Sequence, residues 1–215
     1  IYSLNENFKN YFNIYDFHNL YKELLNFCTV DLSAFYFDIR KDSLYCDSKV
    51  SKKRQSTIIL LNVILNSLLR WFAPILSFTT EEIHRLIMND NKSIHLTKFL
   101  EFPISFKNEN LNQKWLELIK IRNVCNISIE EKRASKEIGS SLEASLKINL
   151  DKKLNDISKD VDFSELCITS SAEVSFLENS DTKVQTTKAE GSKCQVCWKI
   201  TKDACSRKTC PQHTE

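Results

Sequence analysis

The chain has 215 residues, of which 42% are hydrophobic and 27% are charged, and its net charge is +2. This balance is typical of an ordered protein and excludes an intrinsically disordered one. Because the net charge is so small, a site for nucleic acid has to come from a local basic patch. The chain has only two glycines, Gly139 and Gly191, which excludes the glycine-rich loops that bind nucleotide phosphates.

The start of the chain predicts a particular cellular context. The first residue is Ile1, and no charged segment followed by an apolar one comes after it, as a secretory signal would require. We therefore expect a piece of a longer protein, located in the cytoplasm.

Residues 1–143 are expected to form a helical domain. Phe8, Phe12 and Tyr15 recur at helical spacing. Asp31 is the expected N-cap of the next helix, LSAFYFDIRK, because a short carboxylate can accept the free amide hydrogens of a first turn. Gly139 is expected to end the last helix in a left-handed conformation.

The run STIILLNVILNSLLRWFAPILSF, residues 56–78, is apolar on nearly every side. It predicts the buried central helix of a bundle. Asn62 and Asn66 interrupt the run and Pro74 ends it, which leaves too few apolar residues to cross a bilayer, so we expect no membrane association. Arg70, inside this run, is expected to pair with a buried carboxylate.

The pattern changes after residue 143. SLKINL and AEVSFL alternate apolar and polar side chains, and VQTTKA is rich in β-branched residues, which predicts three strands. KKLNDISK, between the first two, has the pattern of a short helix. A small α/β unit is therefore expected over 144–190. The remaining residues, 191–215, are too few to bury a core and need another source of stability.

Four cysteines and one histidine lie close together in that last unit, in the segment CQVCWKITKDACSRKTCPQH. Disulfides are unlikely chemistry for a cytosolic chain, and a thioredoxin-like pair would need a strand-to-helix turn in a βαβ unit. The other four cysteines are scattered and are expected to be buried free thiols. These four are Cys28, Cys46, Cys125 and Cys167.

The spacing of the clustered residues favours a metal. Cys194 and Cys197 form one pair and Cys210 and His213 a second, so that two pairs can close a tetrahedron around Zn²⁺. Cys205 is an alternate ligand in place of Cys210 or His213. Four protein ligands leave no open coordination position, which predicts one structural zinc ion per chain and no catalytic metal.

Several residues are candidates for contacts with RNA. Trp198 directly follows a predicted ligand, and an exposed indole there could stack on an unpaired base, although it could also simply cover the metal. Lys52, Lys53 and Arg54 form a basic cluster in KVSKKRQST that could contact phosphates or be a solvated charged face. Further candidates for phosphate contacts are Lys41, Lys49, Lys193 and Lys199.

Three stretches resemble a known family. FCTVDLSAFYFDIRKDSLYC, SLLRWFAPILSFTTEEIH and EEKRASKEIGSSLEASLKI are similar to the anticodon-binding region of class I aminoacyl-tRNA synthetases for branched aliphatic amino acids and methionine. The CxxCW pair after KEIGSSLEA resembles the bacterial-type isoleucine branch, with the valine and leucine branches as sibling alternatives. The sequence departs from that branch in two ways. The last ligand there is usually a cysteine, whereas here it would be His213, and the loop between the two ligand pairs is shorter than usual.

The resemblance implies a mainly α fold: a helical-bundle anticodon-binding domain, a small α/β unit and a C-terminal zinc ribbon or knuckle. It also implies that a monomeric ligase uses ATP and Mg²⁺, in a catalytic domain absent from this chain, to attach isoleucine to its tRNA. This chain would be non-catalytic and would contact the anticodon stem-loop and the remainder of the synthetase. The alternatives are a free-standing zinc-ribbon module for nucleic acid and a helical interaction scaffold.

Overall fold

The computed structural model describes residues 1–88, 92–178 and 181–202. The chain folds as two compact units. The first comprises residues 1–44 and 49–108, and the second comprises residues 45–48 and the chain from residue 109 onward. The prediction of a mainly helical chain with a small sheet is confirmed. The units divide near residue 108, whereas the sequence predicted a domain boundary at 143.

The first unit is a group of packed helices. Ser51 caps α4 (Lys52–Phe72), since its hydroxyl accepts from the Arg54 amide at 3.4 Å, and Asp16 caps α2 (Phe17–Asn26) by accepting from the Asn19 amide at 3.1 Å. Two short 3₁₀ turns, Ile94–Leu96 and Ile104–Phe106, follow the helices. The helices, in chain order, are α1 (Tyr2–Asn13), α2 (Phe17–Asn26), α3 (Asp38–Tyr45), which reaches one residue beyond the first part of this unit, α4 (Lys52–Phe72) and α5 (Ser77–Met88).

Trp71 is the centre of the core of the first unit. Its fully buried ring meets the rings of Phe8 and Phe27 edge-on, with centroids 4.9 and 6.0 Å away. The indole Nε1–H donates to Asn5 Oδ1 at 3.0 Å, and Asn5 Nδ2 donates to the Leu100 carbonyl at 2.8 Å. Both polar groups are therefore satisfied inside an apolar core, which is the condition for burying them without a large penalty.

The chain between α2 and α3 stays helical with wider turns. Residues Phe27–Phe37 are π-helical and continue directly from α2 into α3. Asp31 therefore lies inside a helical stretch, and the prediction that it caps a new helix was wrong. Phe27 and Leu32 of this π-helical segment are buried in the same core cluster as Trp71, so the wider turns occur where the segment packs into the core.

Helix α4 is buried mainly in its second half. Ile64 and Trp71 lie in one buried cluster and Leu69 in another, but Ile59 in the first half is 65% exposed. The all-round burial that was expected is therefore not found in the first half of α4. None of the helices within the described residues combines enough length and hydropathy to cross a bilayer.

The second unit is built around a three-stranded sheet. The strand order is β2 (Ser171–Leu177), β1 (Ala144–Asp151), β3 (Lys183–Lys188), with β1 parallel to β2 and antiparallel to β3. Ile148 of β1 lies opposite Val174 on one side and Val184 on the other. The elements are α6 (Glu109–Ala134), β1 (Ala144–Asp151), α7 (Asn155–Ser158), α8 (Phe163–Leu166), β2 (Ser171–Leu177), β3 (Lys183–Lys188), β4 (Ser192–Lys193) and β5 (Ile200–Thr201).

Helix α6 belongs with the sheet because it packs against β3 and β1. The Ser128 and Thr186 hydroxyls are 2.7 Å apart, which joins the helix to β3. Alternate residues of β1, from Ala144 to Leu150, are fully buried, as the alternating pattern predicted. This covering of the sheet is the physical reason why the division falls before α6.

The end of α6 differs from the prediction for Gly139. The left-handed residue after the helix is Lys136, with φ of 60°, two residues past the last helical residue. Gly139 instead donates its amide hydrogen to Glu143 Oε2 at 3.0 Å. The chain therefore turns before the glycine is reached.

Candidate RNA-binding surface and metal knuckle

The last described elements form a small hairpin, residues 192–201, called here the knuckle hairpin. Its strands β4 and β5 pair antiparallel, and the Cys194 amide donates to the Lys199 carbonyl at 2.8 Å. Gly191 precedes it with φ of 133°, and a Cβ at that position would lie 2.1 Å from the Thr201 carbonyl oxygen. Only glycine fits this close approach, so Gly191 is a structural requirement of the hairpin.

Two of the predicted metal ligands lie together in the knuckle hairpin. Cys194 and Cys197 are 1% and 4% exposed, and the Val196 amide hydrogen points at Cys194 Sγ, 3.3 Å from its nitrogen. An N–H group directed at sulfur favours the thiolate, which is the form that binds a metal. This half of the site therefore fits a thiophilic cation such as zinc.

The other predicted ligands, Cys205, Cys210 and His213, lie outside the described residues. Among residues 1–88, 92–178 and 181–202, no group of three or more His, Cys, Asp or Glu side chains is arranged to hold a metal ion. A complete site would therefore need ligands from the chain beyond residue 202, as the spacing of the cysteines predicted.

The knuckle hairpin is fastened to the α/β part of its unit. The Ile200 amide donates to Ser170 Oγ at 2.6 Å, and that hydroxyl in turn donates to the Leu142 carbonyl. Since this contact joins β5 to the loop before β2, the hairpin does not depend on its own two short strands alone.

Lys199 lies on the inner side of this junction and is only 7% exposed. Burial alone would raise the pKa of the nearby Asp162 carboxyl. Hydrogen bonds from the Ser164 hydroxyl and from backbone amides, together with the Lys199 charge, instead hold that pKa below its usual value. Burial makes Lys199 the least favourable of the predicted phosphate contacts.

Trp198 has an unusual backbone conformation and an exposed ring. Its φ is 66°, in the left-handed region that side chains other than glycine rarely adopt, and its side chain is 60% exposed. Lys193 Nζ lies 5.2 Å from the centroid of the indole, within the range of a cation–π contact. A strained, exposed aromatic residue beside a cation is an arrangement found at functional sites, and it fits stacking on a base.

The basic cluster is the first turn of α4, in the first unit. Lys52 and Lys53 are exposed and Arg54 is half-buried, and the turn contains no acidic residue. Cations are disfavoured at a helix N-terminus, where the helix dipole is positive, by about 0.3–1 kcal/mol each. Three cations in that turn therefore act against helix stability.

The sequence was compared with models of known families. The family described as "anticodon-binding domain of tRNA ligase" matches residues 1–148. The chain belongs to this family. The match includes the basic cluster at the start of α4, and it ends before the knuckle hairpin.

Curated relatives of this anticodon-binding domain extend the likeness further along the chain. It is 68% identical over 207 residues to the isoleucine–tRNA ligase of Pelagibacter ubique, an alignment that covers 96% of the chain. The isoleucine–tRNA ligases of Agrobacterium fabrum and Bartonella henselae are 39% and 36% identical, over 89% and 92% of the chain. The chain spans 21–23% of the length of these three relatives.

Cys46 is a residue of this site that the sequence did not reveal. It was expected to be an unrelated buried thiol, but it packs against Cys194, Cys197 and Val196. Its Sγ lies 3.7 Å from the Val196 carbonyl oxygen, within range of a weak S–H···O bond. The two residues are 150 positions apart, so no local pattern could have indicated the contact.

Arg70 does not have the predicted carboxylate partner. Its Nε donates to the Lys98 carbonyl at 2.9 Å, and its Nη1 donates to the Asn66 carbonyl at 2.8 Å. Partial burial lowers the pKa of its guanidinium. The expected ion pair was wrong for the described residues, because carbonyl oxygens take the place of the carboxylate.

Proposed function

We propose that this chain binds the anticodon stem-loop of isoleucine tRNA as part of a cytoplasmic isoleucine–tRNA ligase. The family match supports recognition of the anticodon, and the names of the relatives support isoleucine as the amino acid. The observation that carries the RNA contact is Trp198, an exposed indole in a left-handed conformation on a buried thiol pair.

The mechanism of recognition begins with the unpaired bases of the anticodon. Such bases present π faces to aromatic side chains and hydrogen-bonding edges to polar groups, and this is how single-stranded RNA is usually recognised. Trp198 offers one ring face, and Lys193, over the same indole, adds a positive charge. Lys52, Lys53 and Arg54 provide phosphate contacts, which supply affinity and little sequence preference.

A structural zinc ion is part of the proposal. Cys194 and Cys197 would hold it together with two of Cys205, Cys210 and His213, and a closed four-ligand site supplies folding stability and no catalysis. The hairpin needs such support because two strands of two residues each bury little surface. Holding the turn between the two cysteines also holds Trp198, the next residue, in its exposed position.

The chemistry of the whole ligase is proposed to lie outside this chain. The sequence contains no H-I-G-H or K-M-S-K-S motif, so the chain itself is proposed to be non-catalytic. ATP and Mg²⁺ would act in the catalytic region of a monomeric synthetase. By binding the anticodon stem-loop, this chain would position the distant acceptor end of the tRNA. Small errors in that position would greatly lower the rate of aminoacylation.

The experiment replaces the indole without disturbing the turn. Trp198→Gly removes the ring and also relieves the left-handed strain, because glycine adopts positive φ without cost. We expect the variant to keep its fold and zinc but to lose most of its preference for an isoleucine anticodon stem-loop over a scrambled hairpin. Stacking on one base is worth about 1–3 kcal/mol, which sets the size of the loss. Fluorescence anisotropy with labelled hairpins measures it.

Trp198→Phe is the matched control, since it retains an aromatic face and should keep part of the preference. The scaffold alternative predicts that the unmodified protein binds the two hairpins equally. Equal binding, or an unchanged preference in Trp198→Gly, would remove the stacking role.

The metal is tested by elemental analysis of protein purified without chelator. We expect one zinc per chain, lost in Cys197→Ser. Separate serine variants of Cys205, Cys210 and His213 identify the remaining ligands, since only ligand changes should reduce zinc content. A zinc content near zero in the unmodified protein contradicts the site.

A further inference from the structure

The first unit contains a cleft of about 510 Å³ that the proposed function does not use. It lies between α1, the C-terminal end of α4 and the segment that follows the turn at Ile94–Leu96. Its volume falls in the usual range of small-molecule sites. The side chains that matter for its chemistry are Lys9, Phe12, Arg70, Lys98, Phe99 and Glu101.

Arg70 is held rigidly in the wall of this cleft. Its Nε and Nη1 groups are bound to the Lys98 and Asn66 carbonyls, which fixes the plane of the guanidinium. Within the described residues no carboxylate pairs with it, and its Nη2 makes no hydrogen bond to protein. A half-buried, unneutralised and pre-oriented guanidinium is a strong site for a phosphate, whose oxygens match its donor geometry.

The other charges of the cleft leave an excess of positive charge. Lys98 is exposed at the rim. Lys9 lies 3.0 Å from the Glu6 carboxylate and 3.1 Å from the Glu101 carboxylate, so its charge is neutralised. Arg70 and Lys98 therefore remain as two cations, a balance that favours an anion.

The floor of the cleft is apolar. The rings of Phe12 and Phe99 meet edge-on, with centroids 5.6 Å apart, and Phe12 remains partly exposed. A free inorganic anion would gain nothing from this surface. A nucleotide would gain contact for its sugar or base while its phosphate meets the guanidinium.

We infer that this cleft binds one nucleotide of the tRNA backbone, with the phosphate on Arg70 and Lys98 and the sugar or base against Phe12. The inference takes tRNA as the ligand from the proposed function, and adds a contact in the first unit, separate from the knuckle hairpin of the second. This contact would add affinity and fix the position of the tRNA on the protein, but it would add no sequence preference, because phosphate contacts carry little sequence information.

The test measures binding of full-length isoleucine tRNA to the intact ligase over a series of salt concentrations. Arg70→Gln keeps one side-chain amide donor for the carbonyls but removes the charge. We expect a three- to tenfold loss of affinity. The slope of log affinity against log salt concentration should also become less steep by about one, which corresponds to one lost phosphate contact. Lys98→Gln, which leaves the Lys98 carbonyl in place, should flatten the salt dependence with a smaller loss.

Glu101→Gln provides a change of opposite sign. Removing the carboxylate takes one negative charge from the cleft and leaves Lys9 shared with Glu6 alone, so we expect roughly twofold tighter binding and a steeper salt dependence. Damage to the fold cannot produce this gain. Lys120→Gln is the control, because that exposed ammonium on α6 pairs with Glu117 at 2.6 Å and lies in the other unit. It should change neither quantity.

The outcomes separate this inference from the proposed function. If Trp198→Gly reduces anticodon preference while the Arg70, Lys98 and Glu101 variants bind tRNA with unchanged salt dependence, the cleft inference is overturned and the proposed function stands. If Arg70→Gln lowers the melting temperature of the intact ligase without changing tRNA binding, Arg70 only holds the Lys98 segment against α4, which also overturns the inference.

Discussion

The two units of this chain are stabilised by different means. The first buries Trp71 among aromatic rings and satisfies its indole nitrogen through Asn5. The knuckle hairpin of the second unit has two buried cysteines and strands of two residues each. A packed core makes the first unit self-sufficient, whereas the hairpin depends on specific single contacts and, as we propose, on a metal ion.

This contrast explains where an exposed aromatic residue can be held in a fixed position. The turn of the knuckle hairpin has no core to lose, so Trp198 can face outward in a left-handed conformation. The hairpin therefore suits the stacking on unpaired bases that we propose for it, and the helical unit suits the proposed phosphate contacts.

The largest expected effect comes from breaking the aromatic core. Trp71→Ala should cost about 3–5 kcal/mol in the free energy of unfolding of the first unit, because it leaves a large cavity and an unpaired Asn5 side chain. Urea unfolding followed by far-ultraviolet circular dichroism measures this loss. Trp198→Ala, at an exposed position, is the matched control and should change stability by less than about 0.5 kcal/mol. Similar losses in the two variants would contradict the contrast between the units.

A smaller effect should follow from loosening the knuckle hairpin without touching a proposed ligand. Cys46→Ala removes the thiol that contacts the Val196 carbonyl, so we expect zinc transfer to a chelator to become about tenfold faster. Zinc content at saturation should stay at one per chain. Cys28→Ala, in the first unit, should leave the transfer rate unchanged.

If Cys46→Ala instead lowers the zinc content, Cys46 is itself a ligand. An unchanged transfer rate would mean that its contact with Val196 does not support the hairpin.

The smallest effect concerns the carboxylate beside Lys199. Asp162 caps α8 by accepting from the Ser164 and Glu165 amides, and its pKa lies below the usual 3.8. A lowered pKa adds stability above about pH 4 that disappears as the pH falls through the folded-state value. Asp162→Asn should therefore cost about 1 kcal/mol at pH 7, and the difference from the unmodified protein should shrink below pH 3.8.

Thermal unfolding at a series of pH values checks this sign. A difference that grows toward low pH would show that the carboxyl is protonated more readily in the folded chain than in the unfolded one.

Much of the local structure could be predicted because its causes are local. The alternation in SLKINL predicted β1, and its inward residues are indeed buried. The C-x-x-C spacing predicted a pair of thiols on one turn, and Cys194 and Cys197 are buried together. The zinc ion itself, the remaining ligands and the RNA contacts stay predictions.

The failures share a physical cause. Asp31 has the chemistry of an N-cap, but packing of the surrounding aromatic residues carries the helix through it as π-helical turns. Arg70 has the chemistry of an ion-pair partner, but the fold brings the Lys98 carbonyl to its Nε instead. The phosphate contact of Lys199 stays a prediction, although the hairpin buries this side chain near Asp162.

By itself, then, the sequence determined the helices, the strands and the cysteine spacing, because periodicity and ligand spacing act over a few residues. Only the tertiary structure decided which distant groups meet. It brought Cys46 to a turn 150 positions away and placed Arg70 in a cleft where no carboxylate of the described residues pairs with it. Contacts of this kind depend on how whole elements pack, and no short segment of the chain encodes that packing.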